Sequence, residues 1–366
     1  MGKTKETVLE IHLPNLLDNF QIIKSKISSS TKVLAVVKAV AYGSNAVAIA
    51  KCLELAGVDY FAVAYVSEGI ALRKEGIKTP ILVLHPQIEN LEKAIRYDLE
   101  PSMYSFRILN AFSKVVQQNS IRKYPVHLKF NTGLNRLGFN EMDIKALKKS
   151  FNQESLKLVS IFSHLAATED PSETEFTKTQ LAVFARISEH FDAAPLRHVL
   201  NTSGILNYPE AHYDMVRTGI GLYGFGNDPQ FDKEFKPVLH LKTVISQIHT
   251  LNKGESLGYN RAFIATNTTK IATLPIGHAD GISRQYGNGN GQVYIKSMPA
   301  KIIGNVCMDM LMVDVSTIDC EEGEEVIIID DKTQTADSLA KQANTISYEI
   351  LTALSERIQR KLIVKP

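Results

Sequence analysis

Eight short apolar runs, each followed by a stretch of helical character, constrain the fold of this chain most strongly. β-Branched and other apolar residues fill these runs almost without interruption, which is typical of strands buried on both faces. Eight such units predict a closed (β/α)8 barrel of the TIM type, with a doubly wound sheet as the alternative. The runs are residues 33–37, 60–64, 80–84, 99–103, 126–130, 158–162, 197–200 and 214–217.

A different pattern begins after residues 229–237. From Leu239 onward, strand-like runs follow one another directly, with turns such as residues 288–291 between them, as in a β-rich domain. The sequence therefore predicts an α/β plus β fold: an N-terminal barrel at residues 1–235 and a C-terminal β-rich domain at residues 236–366. The runs in this part are residues 241–248, 271–274, 293–295, 300–303, 311–315 and 325–329.

Composition excludes several classes of protein. With 41 Lys and Arg against 39 Asp and Glu, the net charge is only +2, without the basic excess of a nucleic-acid binder. The longest apolar runs fall short of the ~18–20 residues of a membrane helix, and the N-terminus lacks the apolar stretch of a secretory signal. The three cysteines, Cys52, Cys307 and Cys320, are an odd and widely scattered set, which argues against a disulfide framework and against a four-ligand zinc site. We expect a soluble, cytoplasmic protein without a bound metal.

A glycine-rich segment at residues 219–224 fits the pattern G-x-G-x-x-G. A dinucleotide fingerprint should open a helix inside an early βαβ unit, whereas this segment follows the eighth run and leads into a loop. We therefore interpret it as a loop after the last barrel strand, where barrels often bind phosphate through backbone N–H groups.

Polar side chains follow the carboxyl ends of several predicted strands, which share one mouth of a barrel. Each has an ordinary interpretation by itself, such as a helix N-cap for Asn201. Together, a lysine for a Schiff base, hydroxyls and a glycine loop for a phosphate, and a flat imidazole fit pyridoxal phosphate. The residues are Lys38, Lys129, Asn131, Arg136, His164, Asn201, Thr202, Ser203 and Arg217.

Several blocks, in the same order along almost the whole chain, resemble the alanine racemase family. Residues 35–43, AVVKAVAYG, resemble its pyridoxal-phosphate lysine motif, and residues 131–139, NTGLNRLGF, resemble a second block. The resemblance implies a barrel followed by a β-domain, pyridoxal 5'-phosphate as the cofactor, and interconversion of L-alanine and D-alanine for peptidoglycan. The remaining blocks are residues 163–166, 215–220, 223–224, 254–259, 276–281, 307–309 and 345–349.

The resemblance also implies roles for individual residues. Lys38 holds the cofactor and acts as one base, Tyr259 acts as the second base, and Arg217 contacts the pyridine nitrogen. Arg136 pairs with the substrate carboxylate or with the cofactor's phenolic oxygen, and Met308 completes the carboxylate site from the partner subunit through its backbone N–H. The other implied cofactor-binding residues are Tyr42, His164, Asn201, Thr202, Gly219, Ile220 and Tyr348.

Two further implications concern assembly and modification. In the family the catalytic tyrosine belongs to the partner subunit, so the resemblance implies a homodimer with shared active sites. Lys129 matches a lysine that is carbamylated in some members.

Three departures from the family pattern leave specificity open. Asn131 replaces the usual Asp, His278 stands where many members have Tyr, and Ser44-Asn45 replaces His-Gly. The alternatives are a racemase for serine or a broader amino-acid set, an amino-acid decarboxylase, and a non-catalytic pyridoxal-phosphate-binding protein. Proteins of the last kind resemble the barrel alone, and the second domain argues against them.

Overall fold

The computed structural model describes residues 6–191 and 195–365. Strand β1 (Val8–His12) and helix α1 (Leu13–Ser25) open this part of the chain. The chain divides into two compact units. The barrel unit comprises Leu17–Ala41 and Ala46–Phe235, and the β-rich unit comprises the described residues up to Leu16, Tyr42–Asn45, and those from Lys236 onward.

Eight parallel strands form the barrel unit, in the order β8-β7-β6-β5-β4-β3-β2-β9. The backbone N–H of Asp214 donates to the Arg197 carbonyl at 3.2 Å, and that of Arg217 donates to Leu200 at 3.2 Å, which joins the two outermost strands. This nearly closed barrel confirms the predicted architecture. The strands are β2 (Lys32–Val36), β3 (Tyr60–Val63), β4 (Ile81–Val83), β5 (Glu100–Met103), β6 (Tyr124–Lys129), β7 (Leu156–Phe162), β8 (Leu196–His198) and β9 (Met215–Thr218).

Helices cover the barrel strands, and their local sequence explains where they begin. In the helix at Phe106–Gln118, Ser105 accepts a hydrogen bond from the Ile108 N–H as an N-cap, and Ile108, Phe112 and Val116 are buried. This spacing of four presents one apolar face to the strands. The helices are α2 (Lys38–Gly43), α3 (Ala46–Leu55), α4 (Val66–Lys74), α5 (Leu91–Arg96), α6 (Phe106–Gln118), α7 (Ile144–Ser150), α8 (Thr174–Glu189), α9 (Thr202–Asn207) and α10 (Pro229–Asp232).

The β-rich unit contains a nine-stranded sheet in the order β11-β14-β17-β16-β15-β18-β10-β1-β19 and a two-stranded sheet, β12-β13. Helices α11 (Ala336–Gln342) and α12 (Ser347–Ala353) complete it. Its strands are β10 (Leu239–Val244), β11 (Gln247–Leu251), β12 (Ser256–Leu257), β13 (Phe263–Ile264), β14 (Thr269–Leu274), β15 (Gln292–Ile295), β16 (Met298–Ile303), β17 (Leu311–Asp314), β18 (Glu325–Ile329) and β19 (Gln359–Ile363).

The first strand differs in its placement from the sequence-based domain bounds, which assigned residues 1–235 to the barrel. Strand β1 pairs antiparallel with β10 and parallel with β19, so it is part of the β-rich sheet. Glu10 and His12 interrupt its apolar pattern, and pairing with strands more than 200 residues away leaves no local signal. The main division between the two units lies between Phe235 and Lys236.

Two further observations concern metals and membranes. Among the described residues, one group has ligand atoms close enough to share an ion: Glu10, His12 and His240, whose atoms lie within 4.8 Å of one another. The ammonium groups of Lys242 and Lys361 already lie 2.9 and 3.0 Å from the Glu10 carboxylate, and they oppose a cation there. No helix in the described ranges is long and apolar enough to cross a membrane.

Candidate active site

Lys38 begins a left-handed helical turn directly after the first barrel strand. The φ angles of Ala39, Val40, Ala41 and Tyr42 lie between 52° and 55°. This conformation costs roughly 1–2 kcal/mol per residue for L-amino acids, and such strain is concentrated at functional sites. The Ala41 N–H donates to the Val37 carbonyl at 3.0 Å. The turn therefore fixes the chain on either side of the Lys38 amine.

The surroundings of Lys38 favour its neutral amine. Burial lowers the pKa of Lys38, and the positive charge of Arg136 adds to this effect, whereas Glu68 opposes it. Glu68 also accepts hydrogen bonds from the backbone N–H groups of Ala39 and Ala64, both at 2.7 Å. A neutral amine is the nucleophilic form that can condense with a carbonyl group.

Lys129 is a second buried amine at the carboxyl end of β6. Its side chain lies over the Phe162 ring, with Nζ 4.8 Å from the ring centroid. Burial and the charges of Arg217 and Arg136 lower the pKa of Lys129 to about 7. A substantial fraction of this amine is therefore neutral near pH 7.

Arg217, at the end of β9, is held by four acceptors. Its guanidinium donates to His198 Nδ1 at 2.7 Å, the Ser163 carbonyl at 2.7 Å, the Val199 carbonyl at 2.9 Å and His164 Nδ1 at 3.1 Å. Burial lowers the pKa of Arg217 to about 9, which still leaves it charged at neutral pH. The guanidinium is therefore fixed in one orientation.

His164 presents a neutral ring beside this guanidinium. Burial lowers the pKa of His164 well below its usual range, followed by the positive charges of Arg217, Lys129, Arg136 and Lys38. These four basic groups act on one imidazole, so the structure brings predicted residues from four strand ends and the loops after them into one electropositive region. Such a region suits a substrate or cofactor with anionic groups.

The glycine-rich loop packs against the start of α9. The Thr202 hydroxyl accepts hydrogen bonds from the N–H groups of Gly219 at 3.3 Å and Gly221 at 3.2 Å. A Cβ on Gly221 would lie 2.6 Å from Thr202 Cγ2, so this close approach requires glycine. Ile220 opens the 3₁₀ turn that follows. Asn201 is the N-cap of α9, accepting from the Gly204 N–H at 2.9 Å.

Arg136 lies exposed in the loop between β6 and α7. Asn131 shapes this loop, since its Oδ1 accepts from the N–H groups of Gly133 at 3.1 Å and Asn135 at 3.0 Å. An amide oxygen can accept these bonds as an Asp carboxylate would. The departure at Asn131 therefore preserves the loop's hydrogen bonds.

Tyr42 and Tyr348 meet within the β-rich unit. Their ring centroids are 5.9 Å apart and tilted by 48°. Burial, with a smaller contribution from Tyr348, raises the pKa of Tyr42, so its hydroxyl stays protonated. Next to Tyr42, the Gly43 carbonyl accepts from Arg360 at 3.0 Å, and a Cβ on Gly43 would overlap the Leu351 carbonyl.

Tyr259 and Met308 are exposed on the β-rich unit, at 72% and 59%. Tyr259 opens a 3₁₀ turn between β12 and β13, and Asn305 donates to its carbonyl at 3.1 Å. The N–H of His278 donates to the Cys307 carbonyl at 2.9 Å. Hydrogen bonds thus connect the loops around Tyr259, His278 and Cys307, which all lie in the sequence blocks that resemble the family.

An ion-pair cluster supports two of these loops. Arg357 lies 2.7 Å from the carboxylate of Asp280 and 2.8 Å from that of Asp309. These hydrogen bonds raise the pKa of Arg357 above its usual value. A fixed charge network beside Met308 keeps its loop in place.

Family models match both parts of the chain. The model described as "Alanine racemase, N-terminal domain" matches residues 11–227, and "Alanine racemase, C-terminal domain" matches residues 238–362. The chain belongs to the alanine racemase family. Because both models match, the chain extends beyond a barrel-only pyridoxal-phosphate-binding protein.

Individual alanine racemases align along nearly their whole length. The alanine racemase of Thermodesulfovibrio yellowstonii is 36% identical, covering 97% of this chain and 97% of its own. The structure of alanine racemase from Clostridium difficile 630 has a TM-score of 0.93 and 33% identity, covering 99% of this chain and 97% of that chain. That of Bartonella henselae, which has covalently bound pyridoxal phosphate, has a TM-score of 0.90 and 28% identity, covering 98% and 100%.

Two residues of this alanine racemase family member escaped the sequence analysis. Glu68 binds the turn at Lys38, and His198 accepts from Arg217. Glu68 lies at the start of a helix, where a carboxylate is common. His198 lies within a predicted barrel strand. A histidine in a buried strand needs a hydrogen-bond partner, and this need is the sequence feature that could have indicated its role.

Proposed function

We propose that the protein interconverts L-alanine and D-alanine by transferring the Cα proton between two bases, with pyridoxal 5'-phosphate as its cofactor. The observation that carries this proposal is the half-buried Lys38, with its lowered pKa, at the mouth of a barrel whose chain belongs to the alanine racemase family. The D-alanine formed would supply peptidoglycan, which would place the enzyme in the cytoplasm.

The residues present fit this cofactor. A carbonyl group condenses with a neutral amine, and the lowered pKa of Lys38 favours that form. The pyridine nitrogen of the cofactor accepts a hydrogen bond, and Arg217 is a fixed donor. When bound, the cofactor supplies an electron-accepting ring that makes the Cα proton of an amino acid removable. The chain's own residues then determine where that proton goes.

Lys38 and Tyr259 are the proposed bases. The neutral amine of Lys38 accepts the proton on one face of the substrate. Tyr259 is exposed on its own β-rich unit, and we propose that it acts on the opposite face in a second copy of the chain. The enzyme is then a homodimer with shared active sites.

Arg217 controls the outcome at the ring nitrogen. A guanidinium only donates hydrogen bonds, so Arg217 favours an unprotonated pyridine nitrogen. A ring held by this donor would withdraw less electron density, so the proton would be returned to Cα. Arg217 therefore favours racemisation over transamination.

The remaining roles concern binding. His164 would stack on or beside the cofactor ring. Arg136 would pair with the substrate carboxylate or the cofactor's phenolic oxygen, and the Met308 N–H of a second copy of the chain would complete the carboxylate site. Hydroxyl and N–H groups suit a phosphate dianion. For the cofactor's phosphate we propose Tyr42, Thr202, the backbone at Gly219 and Ile220, and Tyr348, and Asn201 is a further proposed cofactor-binding residue. The bonds between Thr202 and the N–H of Gly219 hold this loop in position.

Lys129 is a proposed carbamylation site. Its neutral amine can attack the carbon of carbon dioxide, which forms one N–C bond and releases one proton. The resulting carbamate would put an anion where the charges of Arg217 and Arg136 now disfavour a cation, which removes a charge repulsion. We expect a carbamate ¹³C signal from protein equilibrated with [¹³C]bicarbonate, and its loss in Lys129→Ala. A signal that persists in the variant would contradict this assignment.

The proposed function is tested by following D-alanine formation from L-alanine. Wild type should racemise alanine, and Lys38→Ala should lose at least about 10³-fold in kcat. Lys178→Ala is the control, because Lys178 is an exposed lysine paired with Glu175. Equal activity of the Lys38 variant and the control would overturn the proposal.

A further inference from the structure

A chain of hydrogen-bonded polar side chains crosses the interior of the barrel and ends at Arg217. His127, Ser160 and His198 are each fully buried, on the neighbouring strands β6, β7 and β8. Barrel interiors are usually filled by branched apolar side chains. Two histidines and a serine at this depth must therefore satisfy one another.

The contacts form one continuous chain. Arg217 Nη1 lies 2.7 Å from His198 Nδ1, and His198 Nε2 lies 2.9 Å from Ser160 Oγ. Ser160 Oγ lies 2.6 Å from His127 Nδ1, and His127 Nε2 lies 2.8 Å from Glu100. Glu100 begins β5 and lines a surface pocket with Tyr60 and Lys157. The chain thus runs from the site end of the barrel to the opposite end.

The donor and acceptor of each hydrogen bond in this chain can be assigned by starting from Arg217. Arg217 can only donate, so His198 Nδ1 accepts and the neutral ring has its proton on Nε2. That proton is donated to Ser160, whose single hydrogen then goes to His127 Nδ1. His127 Nε2–H consequently donates to the Glu100 carboxylate.

Glu100, at the other end of the hydrogen-bond chain, supplies a negative charge that is absent among the described acceptors of Arg217. Within the described residues, the four acceptors of Arg217 are imidazole nitrogens and carbonyl oxygens, and none is a carboxylate. The chain connects this buried cation to the Glu100 anion through aligned dipoles, which strengthen one another at low dielectric. Burial and the charge of Arg217 hold the pKa of His198 well below its usual range, so its ring stays neutral.

We infer that His198, Ser160, His127 and Glu100 are positioning residues, which hold Arg217 as a fixed donor and thereby favour racemisation over transamination. This inference rests on the role proposed above for Arg217 at the ring nitrogen. When the chain is interrupted, His198 is no longer fixed from behind, and Arg217 is held less firmly in its orientation. The ring nitrogen is then less protected from protonation, and more pyridoxamine phosphate forms per racemisation event.

The test uses two variants that interrupt the chain and one that does not. Ser160→Ala removes the central hydroxyl, and Glu100→Gln removes the terminal charge while keeping the side chain's shape. Ser102→Ala is the matched control: Ser102 is also fully buried and lies opposite His127 in the sheet, but its hydroxyl donates to the Leu84 carbonyl. Glu100→Gln, at the rim, serves if the interior variant fails to fold.

The first measurement is independent of activity. Solid-state ¹⁵N spectra of histidine-labelled protein, with and without cofactor, should show both His127 and His198 neutral and protonated on Nε2. Their signals are assigned with His127→Asn and His198→Asn. Ser160→Ala should shift both signals, and Ser102→Ala neither. A proton on Nδ1 of His198 would overturn the inference.

The second measurement is the pyridoxamine phosphate formed per racemisation event in the holoenzyme. Loss of the central hydroxyl in Ser160→Ala should raise this ratio about tenfold, which corresponds to about 1.4 kcal/mol. Glu100→Gln should raise it by a smaller factor, and Ser102→Ala should match wild type. Unchanged ratios in both interrupting variants overturn the inference.

Arg217→Glu separates this outcome from a failure of the proposed function. If Arg217→Glu raises the ratio while the Ser160 and Glu100 variants do not, the proposed role of Arg217 stands and the positioning chain is rejected. If Arg217→Glu also leaves the ratio unchanged, the proposed role of Arg217 fails, and the inference fails with it.

Discussion

At the scale of single residues, the site consists of basic groups whose pKa values are lowered by burial. Lys38, Lys129, His164 and Arg217 all have pKa values below their usual ranges, each chiefly because of burial. Burial thus shifts both lysine amines toward their neutral form and keeps the imidazole neutral at neutral pH, while the guanidinium keeps its charge. A mixture of nucleophilic and fixed cationic groups results from four basic residues.

Replacing Arg217 with Glu tests the control of the ring nitrogen. A carboxyl group can share a proton with that nitrogen, whereas a guanidinium only donates. We expect more pyridoxamine phosphate per turnover and a lower kcat for racemisation, measured by product analysis. The control is Arg186→Glu, since Arg186 is an exposed residue paired with Glu141. An unchanged product ratio would contradict the role of Arg217.

Most of the proposed site residues could be found from sequence, but their supports could not. Lys38 and Arg217 follow apolar runs, and that position alone places them at one barrel mouth. His198, Ser160 and Glu68 act through contacts between strands and helices that are distant in sequence. No periodic pattern encodes such contacts, so these residues resembled ordinary strand or helix positions.

At the scale of elements, the turn after β2 has a conformation that its sequence does not announce. Residues 38–43, KAVAYG, have ordinary right-handed helix propensities, yet they form a left-handed turn. Val40 is the clearest case, because a β-branched residue at positive φ is a genuine outlier. The surrounding packing must maintain this turn.

Glycine at position 40 should relieve this strain. Val40 has a φ of 55° and is 40% exposed, so Val40→Gly removes more strain than packing. We expect the free energy of unfolding to rise by roughly 1 kcal/mol. Val115→Gly in the right-handed helix α6 is the matched control and should lower it by a similar amount. Denaturant titration measures both, and destabilisation by Val40→Gly would argue against a strained turn.

Two histidines, His12 of β1 and His240 of β10, have their rings in contact in the β-rich sheet. The rings of His12 and His240 lie 4.0 Å apart, and burial, with the charge of His12, lowers the pKa of His240 to about 4. An unfolded histidine has a pKa of about 6.5, so between these values the unfolded state binds more protons. The stability linked to the neutral His240 is therefore fully present above about pH 6.5, and it decreases as the pH falls toward 4.

We expect the free energy of unfolding to fall by on the order of 1 kcal/mol for each pH unit between these two pKa values. Chemical denaturation of wild type at pH 7 and pH 5 gives the difference. His240→Gln should reduce it, whereas replacement of the exposed His249 in β11 should not. If His240→Gln keeps the full pH dependence, the buried histidine is not its source.

At the scale of the whole molecule, the change from alternating to strand-only patterns correctly indicated two architectures. The barrel could be predicted because each of its strands is buried on both faces and is followed by its own helix. The sheet order of the β-rich unit could not be predicted, since β1 pairs with β10 and β19 across the length of the chain.

Shared active sites should be detectable by mixing two inactive variants. Lys38→Ala and Tyr259→Phe homodimers each lack a base in every site. A mixed dimer has one site with both bases, so unfolding and refolding the variants together should restore activity. About a quarter of wild-type activity is expected, because half of the dimers are mixed and each has one intact site. Activity no greater than the sum of the separate variants would contradict the shared-site dimer.

The central claim, that Lys38 and Tyr259 act on opposite faces of the substrate, is tested most directly by loss of deuterium from Cα. Wild type should wash deuterium out of both L- and D-[2-²H]alanine. Tyr259→Phe should lose washout from one enantiomer by at least about 10²-fold while retaining it for the other, on which Lys38 acts. Equal washout from both enantiomers in Tyr259→Phe would contradict the two-base account.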